Sequence, residues 1–335
     1  MTMRSFFLIL CCGTLAGRLS SMGSALAADP RDVTLESIRE RDALQTPTYT
    51  LKVTVEEPAH FIFRDQGNSL KSCTITQGPA GFAASCHADR LPNPVYHPPG
   101  TYEGPDYDDL GRLGVGMRAS FVTLRTKEIN ETYEEVRVFY VGPQGEVVDA
   151  GVSRTLDRYP PDDRGRSSWS YNHLHRVWWT LGHGFSPHLV QLQGEVSESG
   201  KLHRMRVRGG FGDNSPVGVW QMGVETPPTR LVREATFLRD VDGQPVVEVV
   251  TKGTRQFDRV ALAEEGSLRT SDGIETRVIL QDFNSRFDEE LFRKVTKAFE
   301  DLAGEEIQVV DYRADPKKPL RSTVRLPEGH LKDER

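Results

Sequence analysis

Residues 49–56 alternate strictly between apolar and polar side chains, and this pattern restricts the fold more than any other stretch of the sequence. The apolar set is Tyr49, Leu51, Val53 and Val55, and the polar set is Thr50, Lys52, Thr54 and Glu56. Successive side chains of a strand point to opposite faces, so a period of two predicts a strand buried on one side. Half-buried strands of this kind are typical of antiparallel sheets.

The alternation recurs along the chain, and turn signals separate several of its repeats. Val136, Val138 and Tyr140 form a second alternating run, and residues 204–208 form a third. Hairpin turns are predicted at Asp242-Gly243 and Asp272-Gly273. We therefore predict one elaborated domain over residues 28–314, built on a long antiparallel meander.

Apolar spacing and terminal residues predict three helices among the strands. They cover residues 33–44 after Asp32, residues 174–181 before Gly182, and a segment that starts at Asp288 and stops at Gly304. A loose helical stripe, diluted by glycines, is also predicted over residues 110–121. The predicted class is α+β, with mostly antiparallel strands and a few helices.

The first 27 residues have the layout of a secretory signal peptide. Met1–Arg4 is basic, Ser5–Gly17 is apolar, and Ala25–Ala27 offers small residues for cleavage. We expect an exported protein, periplasmic or secreted, whose mature chain has no transmembrane segment. A Pro-rich insertion is predicted at about residues 91–109, and a charged, disordered tail at residues 315–335.

The charge balance argues against nucleic acid as a partner. The chain has 42 Lys and Arg against 48 Asp and Glu, and its formal net charge is −6. No block of basic residues is large enough to follow a phosphate backbone.

Two cysteines remain after the predicted leader, Cys73 and Cys86, and both flank a predicted hairpin. With Gly78 to Gly81 as the turn, the strand register places these two cysteines directly opposite each other. That separation suits a disulfide, and an exported protein meets an oxidising compartment. The sequence therefore predicts a structural disulfide between Cys73 and Cys86.

Few side chains are arranged for catalysis. His173, His175, His183 and His188 lie close in sequence, but their spacing matches no zinc signature, so ordinary surface and loop histidines are the favoured interpretation. Residues 184–188 lack the final glycine of a serine-nucleophile motif. The sequence predicts no catalytic residue, no metal and no cofactor.

Two other groups of residues leave alternatives open. Arg204, Arg206 and Arg208 share one strand face, which is either a solvated face balanced by acidic neighbours or a contact for an anionic head group or an acidic partner. Of Trp178 and Trp179, one fits a buried helix stripe, and the other lies either at the edge of the core or on a ligand-facing surface.

Several segments, taken in order, resemble periplasmic lipoprotein-sorting carriers of the LolA-like type, particularly their large exported variants. The segments are ESIRERDALQTPTYTLKVTVEE, VWWTLGHGFSPHLVQLQGEV, PTRLVREATFL and FDEELFRKV followed by IQVVDYR. The resemblance implies an open, incomplete β-barrel or strongly curved sheet whose apolar cavity accepts acyl chains. Its expected lining is Tyr49, Leu51, Val53, Val55, Val136, Val138, Tyr140 and Trp178, with residues 174–181 and 110–121 as candidate lids.

These observations lead to three hypotheses from different functional classes. The first is a non-enzymatic carrier or sequestering protein that binds lipid acyl chains or a lipidated protein. The second is an envelope sensor or regulatory module that binds a protein partner. The third is a secreted metal-dependent hydrolase, which requires the histidines to converge with acidic residues.

Overall fold

The computed structural model describes residues 33–43, 48–56, 70–90, 114–141, 147–161, 176–185, 189–210, 217–239, 243–258, 260–271, 273, 275–315 and 317–331. All described residues belong to one compact unit, Val33–Arg335. The predicted signal peptide and the Pro-rich insertion lie outside the described residues, as do His173, His175 and His188.

Strands dominate the described part of the chain. They are β1 (Tyr49–Glu56), β2 (Leu70–Gly78), β3 (Gly81–Arg90), β4 (Gly114–Arg125), β5 (Asn130–Val141), β6 (Val147–Arg158), β7 (Leu189–Ser199), β8 (Leu202–Gly209), β9 (Gly218–Glu225), β10 (Val232–Leu238), β11 (Pro245–Lys252), β12 (Arg255–Phe257), β13 (Val260–Leu262), β14 (Glu265–Thr270), β15 (Glu275–Asn284), β16 (Glu306–Asp311) and β17 (Leu320–Arg325). The helices are α1 (Leu35–Ala43), α2, described over residues 176–180, and α3 (Glu289–Glu300).

One large sheet contains nearly all of these strands. Its order is β17-β16-β6-β5-β4-β3-β2-β1-β15-β14-β11-β10-β9-β8-β7, and β12 and β13 form a separate pair. Neighbouring strands are antiparallel except for β16 and β6, which are parallel. The sheet does not close, because its order ends at β7 on one side and at β17 on the other. The predicted class of a mostly antiparallel, open and curved sheet is confirmed.

The register places the apolar side chains of many strands on one face, which we call the inner face. Leu51 lies opposite Ile75, which lies opposite Ala84. At the other end of the sheet, Met205 lies opposite Met222, and that end carries its own apolar cluster. Helix α2 contacts both clusters, so the sheet curves around this helix.

Helix α3 covers the opposite face of the sheet, which we call the outer face. Val295 and Phe299 of α3 pack with Leu124 and Leu156. The residues next to each of these leucines along its strand point to the inner face. The Asp288 side chain accepts a hydrogen bond from the Leu291 backbone N–H at 2.8 Å, as expected of a helix N-cap. This helix was predicted with its correct cap because its signals are local.

Two predictions about chain segments differ from the structure. Residues 114–121 belong to strand β4 and not to a helical stripe. Within this stretch Phe121 is buried, whereas Arg118 and Ser120 are exposed, as in a strand with one covered face. The glycines of the segment disfavour a helix. The predicted disordered tail contains β17, which pairs along its whole length with β16 and is followed by the buried Leu326.

Candidate ligand-binding face

Helix α2 fills the space enclosed by the inner face near strands β1 and β15. Trp178 is 8% exposed and packs edge to face against Tyr49, with ring centroids 5.1 Å apart. Trp179 points to the other end of the sheet, where it lies 5.4 Å from the Trp220 ring. Both Trp side chains are therefore core residues, and they link the two inner apolar clusters.

The C-terminal end of α2 is tied to the sheet by backbone hydrogen bonds. The Ala263 N–H donates to the Leu181 carbonyl at 3.0 Å, and the Val232 N–H donates to the Gly182 carbonyl at 3.2 Å. Strand β14 approaches so closely that a Cβ on Gly266 would lie 1.9 Å from the Thr180 carbonyl oxygen. Only glycine permits this contact between a helix end and a strand.

The small pair β12–β13 also covers the inner face. Val260 and Leu262 are buried in the same cluster as Trp178. Phe257 lies against Phe283, with ring centroids 5.6 Å apart. This pair was not predicted, because three-residue strands carry too little periodicity to be detected.

The predicted lining residues of β1 lie on the inner face but are fully covered. Their exposed fractions are 2% for Tyr49, 0% for Leu51, 1% for Val53 and 2% for Val55. The predicted disulfide is present in the same cluster, between Cys73 and Cys86, whose Cα atoms lie 4.1 Å apart. In this region the inner face is a packed core.

Coverage of the inner face decreases from β4 to β6. Phe121 of β4 is 8% exposed, and Val136 and Val138 of β5 are half-buried. Val148 of β6 is opposite Tyr140 in the register and is 57% exposed. The Tyr140 side chain lies outside the described residues. We call Val136, Val138 and Val148, together with the neighbouring Ala119, the open part of the inner face.

Two carboxyl groups border the open part. Glu134 precedes Val136 on the same face, and burial, reinforced by the charge of Asp157, raises the pKa of Glu134 to about 6. Burial also raises the pKa of Asp157, although the Tyr159 hydroxyl, which donates to this carboxyl at 3.2 Å, opposes the shift. The inner face therefore changes from apolar to acidic along β5.

A buried polar cluster joins α1 to the end of α2. Arg41 and Asp42 form an ion pair at 2.6 Å, and the Nδ1 atom of His183 lies 3.5 Å from the Asp42 carboxyl. Burial, together with the charge of Arg41, lowers the pKa of His183 to about 3. The neutral ring contacts the Ala261 carbonyl through Nε2. His183 is thus a buried structural residue, whereas the sequence suggested a surface or loop histidine.

Within the described ranges, the chain has neither a cluster of metal ligands nor a helix suited to crossing a membrane. No three His, Cys, Asp or Glu side chains there are placed to share a metal ion. Among the described helices, none combines the length and apolarity that crossing a membrane requires.

No family model matches the sequence, and no curated protein matches it. Solved structures of LolA-superfamily and DUF1329 proteins resemble the chain. A DUF1329 family protein from Desulfovibrio piger has 11% identity and a TM-score of 0.35, with 78% of this chain and 94% of that one covered.

Two further solved structures show the same level of similarity. One is described as an outer membrane lipoprotein-sorting protein domain from Vibrio parahaemolyticus, with 10% identity, a TM-score of 0.36 and coverage of 78% and 97%. The other is a LolA superfamily protein from Nitrosomonas europaea, with 11% identity, a TM-score of 0.36 and coverage of 78% and 98%. Similarity of this size carries no information on what this chain binds.

Proposed function

We propose that the chain is a non-enzymatic carrier that holds acyl chains of a lipid or a lipidated protein on the open part of the inner face. The observation that carries this proposal is the gradient of exposure, from fully buried Leu51 to half-buried Val138 and exposed Val148. Apolar side chains at the rim of a curved sheet favour an apolar ligand, since covering them removes apolar area from water.

The dimensions of the open part fit a chain of methylene groups. From Val136 to Tyr140, β5 rises by ~14 Å at the usual spacing of a strand. Each methylene that leaves water contributes about 0.8 kcal/mol, before the cost of ordering the ligand is subtracted. Affinity should therefore increase with acyl chain length and reach a plateau once the open part is covered.

The packed region serves this function by holding the strands of the open part in place. Helix α2 and the Cys73–Cys86 disulfide fix strands β1 to β3, onto which β4 and β5 are paired. Ligand binding on the open part does not need the predicted lid at residues 174–181, since the described end of α2 is hydrogen-bonded to the sheet. Export to the periplasm or beyond remains part of the proposal and depends on the predicted leader at residues 1–27.

The proposal is tested by native mass spectrometry and lipid extraction on the protein purified from its own cell envelope. We expect stoichiometric acyl species that are lost in the Val138→Asp variant. Val152→Asp is the matched control, because Val152 lies on the neighbouring strand, is 48% exposed and faces outward opposite Arg137. A ligand-free mass in the wild type, or equal loss in both folded variants, would contradict a carrier.

One observation favours the sensor hypothesis as a second candidate. Residues 147–153 of β6 are exposed without interruption, and β16 pairs only with residues 155–158 of that strand. Val147 and Val152 thus form an apolar edge on which a partner protein could add a strand. A ligand-free mass combined with loss of a defined protein partner in Val147→Asp would favour this candidate over a carrier.

A further inference from the structure

Glu134 lies where the open part of the inner face ends. Residues two apart on one strand share a face, so Glu134 lies on the same face of β5 as Val136 and Val138. In the register it lies between Phe121 of β4 and Thr155 of β6, and its side chain is half-buried. A ligand that lies along Val138 and Val136 therefore brings one of its ends to the Glu134 carboxyl.

The inner face becomes polar beyond Glu134. The next residues across the register are Thr123 of β4, Thr132 of β5 and Asp157 of β6. The hydroxyl oxygens of Thr123 and Thr132 lie 3.0 Å apart, and both side chains are buried. Glu134 thus separates an apolar surface from a packed polar region, and the polar end of an acyl ligand belongs at this boundary.

The two carboxyl groups at the boundary differ in their surroundings. Burial raises the pKa of Asp157, and two groups oppose this shift, namely the Tyr159 hydroxyl, which donates to the carboxyl at 3.2 Å, and the charge of Arg321 on β17. Burial, followed by the charge of Asp157, raises the pKa of Glu134 to about 6. Within the described part of the chain, no N–H, hydroxyl or cationic side chain contacts the Glu134 carboxyl. At neutral pH, Glu134 therefore carries a charge that a ligand can balance.

We propose that Glu134 determines the head group of the acyl ligand, and that it selects an ammonium group over a neutral or an anionic one. Because the apolar chain of the ligand must lie on the open part, this selection rests on the proposed function. An ammonium group brings a positive charge and three N–H donors to a carboxylate. An anionic head group at the same place is repelled by Glu134 and Asp157. A fatty acid still binds through its chain, but more weakly than an amine of equal length.

Protons and the ammonium group compete for the ionised carboxylate. Below about pH 6 Glu134 takes up a proton in the free protein, and a neutral carboxyl attracts a cation less than a carboxylate does. Among the described residues, the charged group that acts on Glu134 is Asp157, whose own protonation at low pH works in the same direction. Asp157 in turn faces Tyr159, Tyr312 and Arg321. The preference for an ammonium group should therefore decrease from pH 7.5 to pH 5.

Head-group selection is measured by isothermal titration calorimetry on the full chain with decylamine, decanol and decyl sulfate. These probes share one apolar chain and keep their charge over this pH range. The test variants are Glu134→Gln, which removes the charge, and Glu134→Lys, which reverses it. The matched control is Glu135→Gln, because Glu135 is the next residue of β5, faces outward and forms ion pairs with Arg137 and Arg154.

At pH 7.5 we expect the wild type and Glu135→Gln to bind decylamine about tenfold more tightly than decyl sulfate, with decanol between them. The three dissociation constants should agree within about threefold in Glu134→Gln, and their order should be reversed in Glu134→Lys. A second arm compares sphingosine with a palmitoylated peptide that contains lysine. Tighter binding of sphingosine identifies an amino lipid as the source of the ammonium group, and tighter binding of the peptide identifies a lipidated protein.

Three results would overturn the selection by Glu134 and leave the carrier in place. They are equal binding of the three decyl probes by the wild type, an equal loss of preference in Glu135→Gln and Glu134→Gln, and a wild-type preference that is the same at pH 5 and pH 7.5. Absence of binding for all three probes would instead contradict the proposed function itself.

Discussion

The contact between Gly266 and α2 gives the sharpest prediction about stability. In Gly266→Ala, the new Cβ would lie 1.9 Å from the Thr180 carbonyl oxygen and 2.7 Å from the carbonyl carbon. Since both are backbone atoms, no side-chain rotation relieves the contact, and the end of α2 must move by about 1 Å to reach a tolerable separation. That movement stretches the bonds from Ala263 to Leu181 and from Val232 to Gly182.

The magnitude follows from these two effects. Overpacking of a core costs about 1–3 kcal/mol, and each weakened backbone hydrogen bond costs up to about 1 kcal/mol. We expect Gly266→Ala to lower the free energy of unfolding by about 3 kcal/mol, measured by urea denaturation with Trp fluorescence as the signal. The control is Gly151→Ala, because a Cβ on Gly151 meets no atom within 4 Å.

Equal stability of the two alanine variants would refute the reasoning. Such a result would mean that α2 lies farther from β14 than the hydrogen bonds between α2 and the sheet require. A fall in stability for Gly151→Ala of the same size would likewise remove the steric explanation.

Three further predictions concern the disulfide and two titrating groups. Replacing Cys73 and Cys86 by Ala should lower the free energy of unfolding by about 3 kcal/mol, because the unfolded chain loses a cross-link, as urea denaturation would show. Glu134→Gln should raise that free energy by about 1 kcal/mol at pH 8 and leave it unchanged at pH 4, because the folded state favours the protonated carboxyl. The free energy of unfolding of the wild type should fall by about 2 kcal/mol between pH 6.5 and pH 4.5 because of His183. The folded protein keeps the His183 ring neutral, whereas the unfolded chain takes up a proton in this range. In the His183→Asn variant, the free energy of unfolding should depend less on pH over the same range.

Each of these predictions has a result that opposes it. Unchanged stability on reduction of the wild type would show that the disulfide does not restrict the unfolded chain. A gain for Glu134→Gln that persists at pH 4 would point to packing and not to ionisation. A stability profile of His183→Asn as steep as that of the wild type would assign the acid sensitivity to other groups.

Local signals in the sequence were sufficient for several elements. Helix α3 has its N-cap at Asp288, as predicted, and it ends at Glu300 with Asp301 as C-cap, shortly before the predicted stop at Gly304. The hairpin of β2 and β3 follows from its turn, and the opposition of Cys73 and Cys86 follows from the hairpin. In each case the partners are close in sequence, so periodicity and turn chemistry determine the outcome.

The remaining features depend on contacts between distant segments. Pairing of β16 with β6 joins residues about 150 positions apart, and nothing in either strand specifies it. The burial of His183 depends on Asp42 and Ala261, which come from two other segments. Strand β4 was missed because the spacing of Met117 and Phe121 fits a helix as well as a strand, and its pairing with β3 and β5 decides between the two.

The candidate site was only partly predictable for the same reason. The pattern correctly placed Val53 and Val55 on the inner face, but α2 and the β12–β13 pair decide how much of that face is covered. Periodicity gives the side of a strand on which a residue lies, whereas exposure depends on what the chain packs there later. The distinction between the buried β1 residues and the open part therefore required the structure.

Photolabelling with a diazirine-bearing fatty acid, followed by peptide mass spectrometry, tests the central claim most directly. The account predicts labels on β4, β5 and β6 around Val136, Val138 and Val148, and competition by unlabelled fatty acid that becomes stronger with chain length. Labels that avoid these strands, or that unlabelled fatty acid does not displace, would contradict a carrier that holds acyl chains on the inner face.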